Sequence, residues 1–239
     1  MRGKALTGLA VGTLAAGASA SGLIFFYAPN DADQGFVQKI FYLHVPMAIV
    51  ALCGFVVAAI MAINHLRSGD RAWDLRSYVA IHLSLILGVG VLATGSIWAK
   101  AAWGHWWVWE EPTLVSFLIV FLLYCTYQPL RFAIEDPERQ ARYASVFAIT
   151  AGAFVPLNFI AVRMAEAYTH PRVLSTTGGH MPAEMRVTFI VALIGMALLF
   201  TTLWKLELEA KRAAMQLRRR REPPPGTHRR FAPALRCRP

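Results

Sequence analysis

The sequence predicts an all-α polytopic membrane protein with six transmembrane helices and a tryptophan-rich outer loop. Three observations lead there. The chain is 56% hydrophobic and only 16% charged, with a mean hydropathy of +0.44; soluble domains run near ~45–50% apolar and ~25% charged. Apolar runs approaching or exceeding the roughly 20 residues that cross a ~30 Å hydrocarbon core recur along the chain. One segment between two of these runs, "WGHWWVWEE" from Trp103 to Glu111, crowds four indoles beside two acids.

The spans are expected at Ala5–Ala28, Ile40–Ile63, Tyr78–Ala99, Thr113–Tyr127, Ala144–Ala165 and Val187–Trp204. The first is expected to stay a span and not a cleaved leader, because Ala18–Ser19–Ala20 lies inside it and not at its end. The fourth is the shortest, since the tryptophan stretch abuts it.

Six spans put both termini on one side. The segments on that side carry Arg2, Lys4, Arg67, Arg71, Arg76, Arg131, Arg139 and Arg142, against Lys39, Lys100, Arg163, Arg172 and Arg186 on the other. The bias of eight against five, sharpened by the basic C-terminal segment, predicts cytoplasmic termini. Loops 29–39, 100–112 and 166–186 then face outward.

Residues 5–204 form the expected membrane domain and residues 205–239 a basic, disordered cytoplasmic tail. Its "KRAAMQLRRRR" run continues the last helix and breaks at Pro223–Pro225. Such a cluster is attracted to anionic membrane lipids at ~1 kcal/mol per basic residue. A basic run alone does not make a nucleic-acid site, and none is expected. Cys53, Cys125 and Cys237 form no C-x-x-C, zinc or covalent-haem motif, which argues against thiol-redox chemistry. No phosphate-binding glycine loop is present, so ATP hydrolysis has no support in this chain.

His44 lies near the outer end of the second span, in "FYLHVPMA". An ionisable side chain inside a span marks function by default, although a neutral histidine bonded to a neighbouring helix is the bland reading. Pro46 removes a backbone donor two residues later. His170, in "YTHPRV", His105 and His180 also belong to outer segments, where a solvated loop histidine is the ordinary reading. His82 lies toward the other face, and His65 and His228 are cytoplasmic.

If the tryptophan stretch is helical, Trp103, Trp106, Trp107 and Glu110 share one face and Trp109 points elsewhere. Interfacial anchoring explains one or two indoles. It does not explain four in one loop when the other outer loops have none. A platform for a large flat apolar ligand does, and haem fits, with two imidazoles from separate helices on its iron. His44 and His170 approach from different spans on the same side, with the tryptophan loop between them in chain order. Gly104 would let backbone approach the ring; Glu110 could accept an N–H or cap the fourth helix, with Pro112 near the helix start.

The outer "WGxxWxWE" string, with "FYLHVPMA" and "THPRV", resembles the CcmC family of haem-handling proteins of the cytochrome c maturation system I, over roughly residues 5–204. The resemblance implies a bacterial inner-membrane protein that is not an enzyme. It implies haem b as transiently bound cargo on the periplasmic face, handed to the haem chaperone CcmE, and work alongside CcmA, CcmB and CcmD. By matching positions it implies His44 and His170 as iron ligands and Trp103, Gly104, Trp106, Trp107 and Trp109 as the platform. The family commonly reads "WVWDARLTS" where this chain has "WVWEEPTLVS": Glu110 keeps the acid, but Pro112 replaces the arginine. Arg163 and Arg172 are the alternative partners for haem propionates. Two rival readings remain at this point: a haem b subunit of a quinol oxidoreductase, and a structural transporter subunit whose tryptophans only anchor.

Overall fold

The computed structural model describes residues 2–164 and 181–221. Its helices are α1 (Arg2–Phe26), α2 (Phe41–Ser68), α3 (Arg71–Trp103), α4 (Pro112–Cys125), α5 (Tyr127–Phe132), α6 (Pro137–Met164) and α7 (Ala183–Arg221), with a 3-10 turn at Phe36–Ile40. Among the described residues, six helical segments are long and apolar enough to cross a membrane, α4 and α5 together making the fourth. The protein is therefore a multi-pass, all-α membrane protein. Large apolar side chains such as Ile60, Val89, Ile119, Leu157 and Ile194 are exposed along the helices, an outer surface suited to lipid and not to water.

The helices outrun the apolar windows read from the sequence. α3 begins at Arg71 because Asp70 caps it, its carboxylate accepting the Ala72 N–H at 2.8 Å, while Gly69 closes α2 at φ +70. The fourth span continues past Tyr127 to Phe132. Gln128, Pro129 and Arg131 dilute its hydropathy without ending it; Pro129 removes only one backbone donor. α7 passes residue 205 and stays helical to Arg221, since Leu, Glu, Ala, Lys and Arg are strong helix formers and Glu207 pairs with Lys211 at 3.2 Å.

Close packing rests on small residues, as expected where lipid gives no hydrophobic drive between helices. A Cβ on Gly54 would meet Ser84 Oγ, one on Gly88 the Phe121 ring, and one on Gly152 Ala59. α1 lies against α7, where the Thr13 and Thr202 hydroxyls meet at 2.8 Å. The core joins α2, α3, α4, α5 and α6 around stacked Phe55 and Tyr124 rings, 3.8 Å between centroids.

At the end bearing the N-terminus, Arg131 of α5 makes two bonds to Asp74 of α3, at 2.7 and 2.8 Å, and a third to the Tyr127 hydroxyl at 3.1 Å. Arg131 is buried rather than a solvated loop charge. His82 there bonds Glu207 of α7 at 2.9 Å, and His65 bonds Ser145 of α6 at 2.9 Å.

Candidate functional site at the tryptophan end

The opposite end is assembled from the starts of α2 and α7, the ends of α1 and α3, and the loop after α3. Phe41 and Tyr42 of α2 bury against Phe189 and Ala192 of α7, with Trp98, Met181 and Met185 beside them. Phe41 stacks on Phe189 at 5.3 Å and meets Trp98 edge-on at 6.3 Å. Lys39 plugs the end of α1, donating to the Ile24 and Ala28 carbonyls at 2.6 and 3.1 Å. A cation on the negative pole of a helix is favourable there.

His44 is half-buried in the second turn of α2, and the helix runs unbroken through Pro46. Its Nδ1 lies 3.0 Å from Thr94 Oγ1 on α3. The Thr94 hydroxyl donates its single proton to the Gly90 carbonyl at 2.7 Å. With that proton on Gly90, Thr94 can accept from Nδ1–H, an arrangement that orients the ring. A neighbour that fixes tautomer and ring direction is what a metal-binding imidazole needs. Trp98 stands edge-on to the ring at 5.8 Å, and its own N–H donates to Gln34 at 2.7 Å.

Gly95 leaves the space for His44: a Cβ there would lie 2.9 Å from the ring's Cε1. Since Thr94 and Trp98 hold the ring, Gly95→Ala should turn it away from its present direction. Haem retained by the purified protein should then fall about tenfold, the lower bound for disturbing a ligand's support, with helicity unchanged by circular dichroism.

The tryptophan stretch is not a continuous helix, so the four-residue face expected of it does not form. α3 ends at Trp103, and Gly104 takes φ +78 at its C-cap. The Gly104 N–H bonds the Lys100 carbonyl at 3.1 Å, and the Lys100 ammonium bonds the Gly104 carbonyl at 2.8 Å. A Cβ on Gly104 would meet nothing within 4 Å, so glycine is required for its backbone and not for space. Gly104→Val should lower stability by about 1–2 kcal/mol, and Gly104→Asn by less, read as thermal unfolding in detergent.

Beyond Gly104 the chain presents its rings individually. Trp106 and Trp109 are 60% and 69% exposed. Trp107 is half-buried, edge-on to Trp109 at 5.9 Å, and its N–H has no hydrogen-bond partner among the described residues. Large exposed indoles suit a flat amphipathic ligand. Glu110 is exposed. The cap of α4 falls instead to Glu111, fully buried, whose carbonyl takes the Leu114 and Val115 N–H groups while its side chain makes no cap bond. Pro112 occupies the first turn, as expected.

His170, Arg172 and His180 lie outside the described residues. Arg163 falls in the last turn of α6. Thr94, Gln34 and Glu111 were not singled out from the sequence; Trp98 had a signal, as the next tryptophan upstream of the cluster.

Fold and site define a polytopic membrane protein with an imidazole and an indole-rich loop at one end. The chain matches the heme exporter protein C (CcmC) family over residues 1–223, and it belongs to that family. It is 31% identical over 210 residues to heme exporter protein C of Paracoccus denitrificans, covering 87% of this chain and 85% of that one. It is 31% identical over 133 residues to the Escherichia coli K12 protein of that name, 56% and 54% of the two chains. A putative cytochrome c biosynthesis ccmC-like mitochondrial protein of Marchantia polymorpha is 28% identical over 165 residues, 69% of each. The chain is thus a haem-handling membrane protein of cytochrome c maturation and not an enzyme, which sets aside the quinol oxidoreductase.

Proposed function

We propose that this chain binds haem b transiently at the periplasmic face of the inner membrane and presents it to the chaperone CcmE, with CcmA, CcmB and CcmD as membrane partners and both termini cytoplasmic. Family membership supports the cargo. The observation that carries the site is the pairing of His44 with Thr94 and Trp98 at the end where the tryptophan loop emerges. His44 offers Nε2 to the iron from one face, and His170 is the candidate for the other. Trp103, Trp106, Trp107 and Trp109 supply stacking surface, with Gly104 setting the direction of the loop. Glu110, Arg163 and Arg172 supply charge for the propionate rim or the chaperone.

The chemistry is ligand exchange. No general base or nucleophile is required, and the chain's residues only hold, orient and release. His82 is engaged with Glu207 near the far end of the bundle, so it has no part in this reading.

The test is an absorption spectrum of the detergent-purified protein co-expressed with the chaperone, beside the covalent haem loaded on the chaperone. Trp106→Ala/Trp109→Ala should lose haem on both measures; base- or ring-on-aromatic stacking is worth roughly 1–3 kcal/mol per ring in comparable platforms. Unchanged haem and unchanged chaperone loading would reduce the loop to a membrane anchor. If Arg163→Ala and Arg172→Ala both retain wild-type haem, the propionate assignment is withdrawn.

A further inference from the structure

At the end bearing the N-terminus, away from the tryptophan loop, a cleft of about 460 Å³ opens between the starts of α1 and α3, the last part of α2 and the middle of α7. Its rim carries three cations, Arg76, Lys205 and Arg212, against one acid, Glu209. Among the described residues none of the three cations lies within 4.0 Å of a carboxylate; the ion pairs of this end use His82, Arg131 and Lys211. The floor is apolar, from Leu6, Met61 and the buried Leu208.

Two indoles fix the walls. Trp204 donates its N–H to the Arg76 carbonyl at 3.3 Å, tying α7 to α3. The Arg76 guanidinium sits over the Trp73 ring at 4.5 Å, which holds a flexible side chain at the rim. Trp73, in the first turn of α3, marks the level of the headgroups. Cations at that depth without acidic partners attract anionic headgroups. A cationic rim above an apolar floor suits an anion with an apolar body.

From this geometry we propose that the cleft is a binding site for one anionic glycerophospholipid, its phosphate on Arg76, Lys205 and Arg212 and its acyl chain along Leu6 and Met61. The shared chemistry is a phosphate ester, and a free phosphate would use the same rim. The apolar floor, which a free phosphate leaves unused, favours the lipid. The site is separate from the haem reading and does not depend on it. It is also distinct from general attraction to the arginines at 218–221 further along α7.

Native mass spectrometry of the full chain tests it, with the protein exchanged into phosphatidylcholine nanodiscs containing a graded fraction of phosphatidylglycerol. Wild-type protein should carry one phosphatidylglycerol through delipidation. Arg76→Gln/Lys205→Gln/Arg212→Gln should lose the preference by roughly a hundredfold, at about a factor of five per basic residue. Met61→Trp, which fills the partly exposed floor and keeps every charge, should also expel the lipid. Arg218→Gln/Arg219→Gln/Arg220→Gln/Arg221→Gln should keep it. Millimolar inorganic phosphate or glycerol 3-phosphate should not displace it; displacement would assign the rim to a free phosphate and overturn the lipid. Equal retention by wild type and the triple variant, or loss in the 218–221 variant alone, would overturn the cleft. Circular dichroism of each variant separates ligand loss from unfolding.

Discussion

Purified His44→Ala protein should hold less than about a tenth of the haem held by wild type, because on the proposed function it loses an iron ligand, and even the supports of such a ligand are worth 10- to 100-fold in affinity. The expectation rests on how the ring is held. The Thr94 hydroxyl donates to the Gly90 carbonyl and can accept the Nδ1–H of His44. In that tautomer Nε2 carries the lone pair that iron needs. Thr94→Val keeps the shape of residue 94 and removes the acceptor, so it should weaken haem binding about tenfold while leaving the helix intact. Thr94→Ser should restore binding. Imidazole added in solution should return a haem band to His44→Gly but not to a variant unfolded at this end. His105→Ala, changing an exposed loop residue, should match wild type. A full haem band in His44→Ala, with loss in His105→Ala, would move the iron to the loop. His170→Ala, judged by the same spectrum, decides whether two imidazoles act or one.

The sequence made some of this legible and not the rest, for physical reasons. Spans are visible because a bilayer demands long apolar runs: the start of α2 and the end of α6 fall one residue from the expected bounds, while the polar end of α2 and the polar start of α6 extend beyond them. Helix ends were less visible. Asp70, Gly69 and Gly104 set them locally, and polar turns of α3 and α7 extend beyond hydrophobic windows. His44 announced itself as a rare ionisable group in a span. Its partner Thr94 did not, since a threonine in a membrane helix usually bonds its own backbone and Thr94 also does so. The tryptophan density was plain, but its helical reading failed because one glycine with positive φ turns the chain at residue 104. Glu111 was passed over in favour of Glu110, as adjacent acids cannot be told apart without knowing which one the α4 start buries. Asp74 and Arg131 were also hidden: they are far apart in sequence, and Arg131 reads as an ordinary cytoplasmic charge.

Breaking that pair should be the most destabilising single change in the described bundle. Asp74→Ala should cost about 3–5 kcal/mol, because it strands a buried guanidinium. The geometry supports the upper part of the range: both carboxylate oxygens are engaged, at 2.7 and 2.8 Å, and both residues are buried. Each charge also suits its helix end, Asp74 in the first turn of α3 and Arg131 in the last turn of α5. The Tyr78 ring below the guanidinium at 4.8 Å and the Tyr127 hydroxyl fill its remaining sides. Tyr127→Phe should therefore cost only about 1 kcal/mol, one hydrogen bond's worth. Asp74→Leu/Arg131→Met should be more stable than either single variant, since no unpaired charge remains. Unfolding midpoints in detergent, arranged as a double-mutant cycle, give the coupling directly. Singles within ~0.5 kcal/mol of wild type would match an exposed ion pair and sink the idea. The pair also bears on the far end of the molecule. α3 is one helix of 33 residues from Arg71 to Trp103, so fixing Asp74 against α5 fixes the register at which Thr94 and Trp98 meet His44. Haem retention should fall in Asp74→Ala and recover in the apolar double variant, whereas loss of retention in both would mean that the charges themselves, and not the clamp, are required.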